Sequence, residues 1–317
     1  MDIFFLAGTV VLTASSSMLI KKSKNIAGSG STESIFFTLF IAVYSIIIFI
    51  LINRFKITLY PLNFVFACAY AVLGIFSNVL MIKAFSCGKV STYLIMTNTG
   101  AVLFPYIVGI IWLDEAFSFI KTFGIVLMCV AFVIKNTGTD PSAQPAEKIS
   151  DVNGEQEADE KKPKANKLFL FLCLAGACIS GFANVVISLN STLVPLSDNV
   201  SFSIMTQTFV LGLTIAFLLI RFNKTKQTLM TNRKMTGLAN LGVALAYSAI
   251  AGGGLIFSLE SAKRLPSSVV FPISSSGNIV LVTIFDTLFY KEKFTLRDLI
   301  ATVLIVVAIV LVSLGGA

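Results

Sequence analysis

Long apolar runs separated by short polar segments fill this chain from end to end. They fall at about 3–20, 34–53, 63–85, 89–112 and 117–135, and again at 167–190, 200–222, 237–259, 267–289 and 296–315. Each comes close to the roughly 20 residues that a helix needs to cross a hydrocarbon core of about 30 Å. None alternates apolar and polar residues with the period of two that a lipid-facing barrel strand would show. A segment surrounded by lipid must satisfy its own backbone hydrogen bonds, so the pattern predicts ten transmembrane α-helices.

The series breaks once, between Asn136 and Asn166. That stretch has no aromatic residue, three prolines and a dense mixture of charge (Glu155, Glu157, Asp159, Glu160, Lys161, Lys162). It cannot bury enough apolar surface to order itself. Residues 136–166 are therefore expected to be a disordered cytoplasmic linker. It separates a first five-helix unit, 1–135, from a second, 167–317.

The two units echo each other. At an offset of 177, Asp114-Glu115-Ala116-Phe117-Ser118 falls on Lys291-Glu292-Lys293-Phe294-Thr295. On the same offset Ser91 meets Ser268, Thr97 meets Ser274 and Gly100 meets Gly277. Earlier in each unit the offset is 167, as where Arg54-Phe55 meets Arg221-Phe222, and the longer loop after the seventh run absorbs the difference. Five spans is an odd number, so the second unit starts on the opposite side of the membrane. The expected fold is an all-α membrane protein of ten transmembrane helices arranged as two inverted five-helix repeats. Such repeats can open to either side in turn, which is the geometric basis of alternating access.

Composition agrees. Of 317 residues, 56% are apolar and 13% charged, and the mean hydropathy is +0.89, far too apolar for a chain surrounded by water. The formal charge of +8 sits in short clusters between the runs and forms no basic stripe, so a nucleic-acid partner is not indicated. Histidine is absent, which removes His-based proton relays, metal sites and His-assisted nucleophiles. The five cysteines, Cys68, Cys87, Cys129, Cys173 and Cys178, lie in or beside apolar runs with no C-x-x-C pair, so neither a disulfide framework nor a metal site is indicated. No Walker motif occurs, and Gly252-Gly253-Gly254 lacks the strand before it and the Gly-Lys-Ser/Thr after it that a phosphate loop needs. A closely packed or flexible point in the helix suits those glycines better. No catalytic residue and no cofactor is assigned.

Lys21, Lys22 and Lys24 follow the first apolar run rather than precede it, which suits a retained span better than a cleaved leader. Odd-numbered loops carry most of the Lys and Arg residues, and the even-numbered ones carry only Arg54, Lys56, Lys121, Lys263 and Arg264. The positive-inside rule then places both termini outside and the linker in the cytoplasm. The expected location is a bacterial cytoplasmic membrane.

This arrangement resembles the drug/metabolite transporter superfamily, in particular its EamA-type members. The likeness rests on the ten-span count and on the stretches Ala84 to Ser91 and Ser261 to Ser268, which join the third and fourth helices of each unit. The acidic turn before each unit's last helix, at Glu115 and Glu292, also belongs to it. The resemblance implies a secondary carrier with a central cavity, moving metabolites, amino acids, nucleotide-linked compounds or drugs. One departure is the first span, where Ala14-Ser15-Ser16-Ser17 replaces the aromatic-Gly-x-Asn pattern of the family, although Asn184 stands in the sixth span.

Unpaired polar side chains are costly in hydrocarbon and so tend to face the bundle interior. Thr97, Asn98, Thr99 and Gly100 lie near the middle of the fourth span, and Ser274 to Asn278 near the middle of the ninth. A midplane site at the repeat interface would draw on such segments. Asn98, Thr97, Ser275 and Asn278 are the leading candidates to bind a solute, followed by Asn184, Ser16, Tyr93 and Gln207. Ser15, Asn78, Tyr247 and Ser248 are further intraspan polar groups. All of them also suit helix packing or interhelical hydrogen bonding. Lys83, near the end of the third span, either anchors an anionic group or snorkels to the interface. Asp286 allows proton coupling or simple interfacial exposure. Glu115 and Glu292 suit the positive end of a helix dipole. The expected partners are a small-molecule substrate, the lipid bilayer and a coupling proton or ion. A flippase for a lipid-linked sugar is the alternative; an intramembrane enzyme would need acidic pairs or Arg or His clusters that are missing here, and a channel is a lesser reading.

A reporter that works only in the cytoplasm, fused after Ala317, should be inactive; activity there would overturn the orientation read from the loop charges.

Overall fold

The computed structural model describes residues 2–27, 31–87, 90–113, 115–136, 162–194, 198–220, 236–290 and 296–315. Among these residues there is no strand, and ten long helices follow one another: α1 (Asp2–Ala27), α2 (Ser31–Ile52), α3 (Pro61–Cys87), α4 (Val90–Trp112), α5 (Phe119–Asn136), α6 (Lys162–Leu193), α7 (Asn199–Ile220), α8 (Leu238–Arg264), α9 (Ser267–Tyr290) and α10 (Leu296–Gly315). Eight of them are long and apolar enough to cross a membrane, while α4 and α5 carry shorter apolar stretches, Met96–Trp112 and Phe119–Ile134. α1 and α6 run past the expected limits, α1 as far as Ala27 and α6 from Lys162. Residues 137–161, the bulk of the expected linker, lie outside the described residues, as do Arg221, Phe222 and Glu292.

Large apolar side chains cover the outside of the bundle. Phe4, Trp112, Phe119, Phe171, Ile220 and Leu296 are each mostly exposed, in a number and size that water would not tolerate but lipid accepts. The interior holds two main clusters. One joins Val102, Ile125, Met128, Phe132, Val269, Ile305 and Val312 from α4, α5, α9 and α10. The other joins Ala67, Ile187, Phe202, Met205, Leu259 and Phe271 from α3, α6, α7, α8 and α9.

Helices pack across the linker rather than beside their sequence neighbours. α1 lies against α8 and α9, and α6 lies against α3 and α4. α2 pairs with α7, α4 with α9 and α5 with α10, while α2 against α8 is answered by α3 against α7. Without a hydrophobic drive between helices in lipid, small residues decide which backbones come close. Gly100 on α4 meets the backbone of Ala177 on α6, and any Cβ there would collide with its carbonyl. Gly277 on α9 meets Val10 on α1, whose Cγ1 would lie 2.9 Å from an added Cβ. In α8, the Phe49 ring rests on Gly252, so the triple glycine is a close-packing point.

Two further features shape the ends. Arg54 and Phe55 hold positive φ, 50° and 62°, a region that costs side-chain-bearing residues energy. The Asn53 amide anchors that turn by donating to the Lys56 carbonyl and, at 2.6 Å, to Asp198 Oδ2. The ends that carry Asp2, Asn53, Glu115, Asp198, Glu260 and Ser267 all gather on one face of the bundle, called here the N-terminal face.

Replacing Gly100 by Val should force α4 off α6 and cost about 3 kcal/mol, read as a lower unfolding midpoint in detergent. Gly212→Ala, where nothing lies within 4 Å, should leave the midpoint unchanged or raise it.

Candidate solute-binding site

Two polar zones interrupt the apolar interior. The first lies along α4 and α9, which pack against each other. Each of these helices contains a proline, Pro105 and Pro272. A proline has no N–H to offer the carbonyl four residues earlier, so Pro105 leaves the Ala101 carbonyl without its usual helical donor. Asn184 of α6 supplies one, donating its amide to Ala101 at 2.9 Å. An interhelical bond thus occupies Asn184, one of the sequence-predicted candidates.

On α9, the Ser274 and Ser276 hydroxyls and Asn278 Oδ1 are buried without a hydrogen-bond partner. Ser275 is half-buried on the same helix, and Asn98 is half-buried on α4. The Thr97 hydroxyl donates to the Tyr93 carbonyl at 3.1 Å. Thr97 and Asn98 thus stand on α4 and Ser275 and Asn278 on α9, two helices that lie against each other. The others are dispersed. Ser16 is buried on α1 and donates to the Thr13 carbonyl at 2.8 Å. Tyr93 packs into an apolar cluster with Ala84, Leu172 and Cys173, its ring against Gly176. Gln207 is half-buried on α7, and Lys83 is exposed four residues before the end of α3. Ser248 of α8 donates to the Ile41 carbonyl at 3.1 Å, tying α8 to α2. The Asp286 side chain lies outside what is described.

The second zone is at the N-terminal face. α9 starts after Leu265-Pro266, neither of which can cap a helix with its side chain, so its first N–H groups need an outside acceptor. Glu115, in the turn between α4 and α5, provides it: Oε1 accepts from the Ser267 N–H at 2.6 Å and Oε2 from the Ser268 N–H at 3.1 Å. The Ser268 hydroxyl donates to the same carboxylate, and Lys121 Nζ donates to that hydroxyl at 2.9 Å. Ser267 also bonds Ser188 of α6. The expectation that Glu115 serves a helix dipole holds, but the helix belongs to the other half of the chain rather than being the one that follows it. Lys121, counted as a loop charge in the sequence, is only 3% exposed, because its ammonium reaches a hydroxyl that a carboxylate already holds. Neither Ser188 nor Lys121 could be singled out beforehand, since both depend on a contact between distant segments.

Among the described residues no group of three or more His, Cys, Asp or Glu side chains could hold a metal ion.

The pattern of the EamA-like transporter family matches residues 167–314, and the chain belongs to that family, within the drug/metabolite transporter superfamily. It is thus a multi-pass membrane protein of a transporter family. It is similar to proteins named as probable 4-amino-4-deoxy-L-arabinose-phosphoundecaprenol flippase subunits ArnE, one from Yersinia pseudotuberculosis serotype O:1b (strain IP 31758) and one from Yersinia pestis (strain Pestoides F). Each is 40% identical over 77 residues, covering 23% of this chain and 67% of the relative. A protein known by its crystal structure shares the fold with a TM-score of 0.67 at 12% identity, over 99% of this chain and 97% of that one.

Glu115→Ala should leave two N–H groups of α9 unpaired and Lys121 without its nearby carboxylate, costing about 2–4 kcal/mol. The unfolding midpoint in detergent should fall; an unchanged midpoint would show that the cap carries no weight.

Proposed function

We propose that this chain is a secondary transporter that moves a small metabolite, such as an amino acid, a nucleotide-linked or a drug-like compound, by alternating access. In this reading all ten helices span the membrane as two inverted five-helix repeats, in a bacterial cytoplasmic membrane with both termini outside. The reciprocal helix pairing supports the repeat. At the offset of 177 Gly100 corresponds to Gly277, and at the offset of 167 Val10 corresponds to Ala177, so the two glycine contacts are one contact made twice.

The observation that carries the function is the packing of α4, which bears Asn98, against α9, which bears Ser275 and Asn278, together with polar atoms of Ser274, Ser276 and Asn278 that have no partner within the protein. An unpaired buried polar atom costs about 1–3 kcal/mol, a cost that a polar solute at the site would offset. Thr97 belongs to the same lining; Gln207 on α7 and Lys83 on α3 are lesser candidates that would meet the solute elsewhere on its path, while Asn184, Ser16 and Tyr93 serve interhelical bonding and packing. A proton or ion couples the movement.

A second reading, a flippase for a lipid-linked sugar, is favoured by the likeness to the ArnE proteins. The two make different demands, since a flippase moves an amphiphile sideways out of the lipid and shows no saturable uptake of soluble compounds.

Asn98→Leu and Asn278→Leu should each abolish uptake into proteoliposomes of a solute that the native chain accumulates, with insertion intact. Unchanged uptake in both variants would sink the site. Absence of any saturable soluble uptake, together with movement of a lipid-linked sugar between leaflets, would select the flippase.

A further inference from the structure

Three asparagines near helix ends lie under the N-terminal face, apart from the polar segments of α4 and α9. Asn63 is the third residue of α3, Asn190 lies three residues before the end of α6, and Asn199 opens α7. α3 packs against both α6 and α7. Asn63 stands one turn from Ala67, Asn190 from Ile187 and Asn199 from Phe202, and those three residues share one apolar cluster. Residues three or four apart stand on one helix face, and at 1.5 Å per residue each asparagine sits about one turn nearer the surface than that cluster. The three asparagines therefore stand at about one level on helices that pack together.

Their hydrogen bonding is incomplete. Asn63 and Asn190 are 0% exposed and Asn199 is 7% exposed. Both amide atoms of Asn63, both of Asn190 and Oδ1 of Asn199 have no partner, and the Thr206 hydroxyl, on the same stripe of α7, has none either. Only Asn199 Nδ2 is engaged, donating to Glu260 at 2.9 Å. Glu260 in turn is held by Arg264 at 2.6 Å. Asparagines placed purely for packing would be cheaper as leucines, because an apolar group of the same size carries no desolvation cost.

We propose that Asn63, Asn190 and Asn199 form a second solute-contacting station beneath the N-terminal face, built for the hydroxyl groups of an uncharged polyol or sugar ring. This rests on the transport reading, since a solute reaches these atoms when α3 parts from α6 and α7. The chemistry follows from the unpaired atoms, three acceptors and two donors with no formal charge. A hydroxyl both donates and accepts and so satisfies both kinds. A bare cation would leave the two Nδ2 groups unpaired, and an anion would face three carbonyl oxygens backed by Glu260.

The test uses the full chain purified in detergent, with L-arabinose and D-xylose as neutral probes and D-arabinonate as the anionic control. Millimolar pentose should raise the unfolding midpoint and arabinonate should not. Asn63→Leu and Asn190→Leu should each remove the pentose shift while raising the midpoint without ligand by about 2–5 °C. No pentose shift in the native chain, an equal shift with arabinonate, a shift retained in both variants, or a lower ligand-free midpoint would overturn the station. As a second measurement, Asn190→Cys, in a chain whose native cysteines are replaced by Ala, should react with a membrane-impermeant maleimide and be protected by pentose. Lack of reaction, or reaction without protection, would also overturn it. A chain that binds pentose yet moves no solute would sink the carrier reading instead, and uptake with no pentose shift would sink only the station.

Discussion

The closeness of α4 to α6, and of α9 to α1, governs the rest of the molecule. In lipid the apolar faces of two helices gain nothing from leaving water, so contact area and backbone approach decide which helices stay together. Gly100 and Gly277 let those two pairs close until backbone meets backbone or a valine side chain. α4 and α9, each held close to a helix from the other half of the chain, also pack against each other, and they carry the Thr97–Gly100 and Ser274–Asn278 segments. A Cβ at either glycine would separate the elements that hold the candidate solute site.

The second constraint is the satisfaction of backbone polar groups. Pro105 removes a donor from the Ala101 carbonyl, and Asn184 of α6 restores one. Pro266 leaves the start of α9 without a cap, and Glu115 supplies it from the other half of the chain. Each repair joins a residue before position 137 to one after position 161, so the groups that keep the backbone satisfied also tie distant parts of the chain together. On the N-terminal face this bonding is extensive: Asn53 reaches Asp198, Asn199 reaches Glu260, and Arg264 bridges Glu260 and Asp2. Against that well-bonded surface the unpaired amides of Asn63 and Asn190 stand out.

The helices were legible in the chain because the membrane imposes a length and an apolar content that few other environments demand. The observed helices keep close to the expected runs, from Asp2–Ala27 to Leu296–Gly315. Thr97, Asn98, Ser275 and Asn278 stood out in the sequence as polar residues inside runs that should otherwise exclude them. Asn184 was noticed for the same reason, but its partner was not, because nothing local says which of several helices will offer a carbonyl. Asn63 and Asn190 escaped notice because each lies within a turn of its helix end, where an asparagine ordinarily meets water or headgroups.

Sequence alone determined the class of this protein: helices of membrane-spanning length, a recurring order of Ser, Gly, Glu and Phe, and a polar break at 136–166. Those features follow from properties read one residue at a time or at a fixed offset, such as side-chain transfer cost and backbone self-satisfaction. Only the tertiary structure decided which polar group answers which. Glu115 capping α9, Lys121 buried on Ser268 and Asn184 on Ala101 all join segments far apart in the chain. Their pairing depends on how close two backbones can come, and Gly100 against Ala177 is a distance that no local pattern encodes.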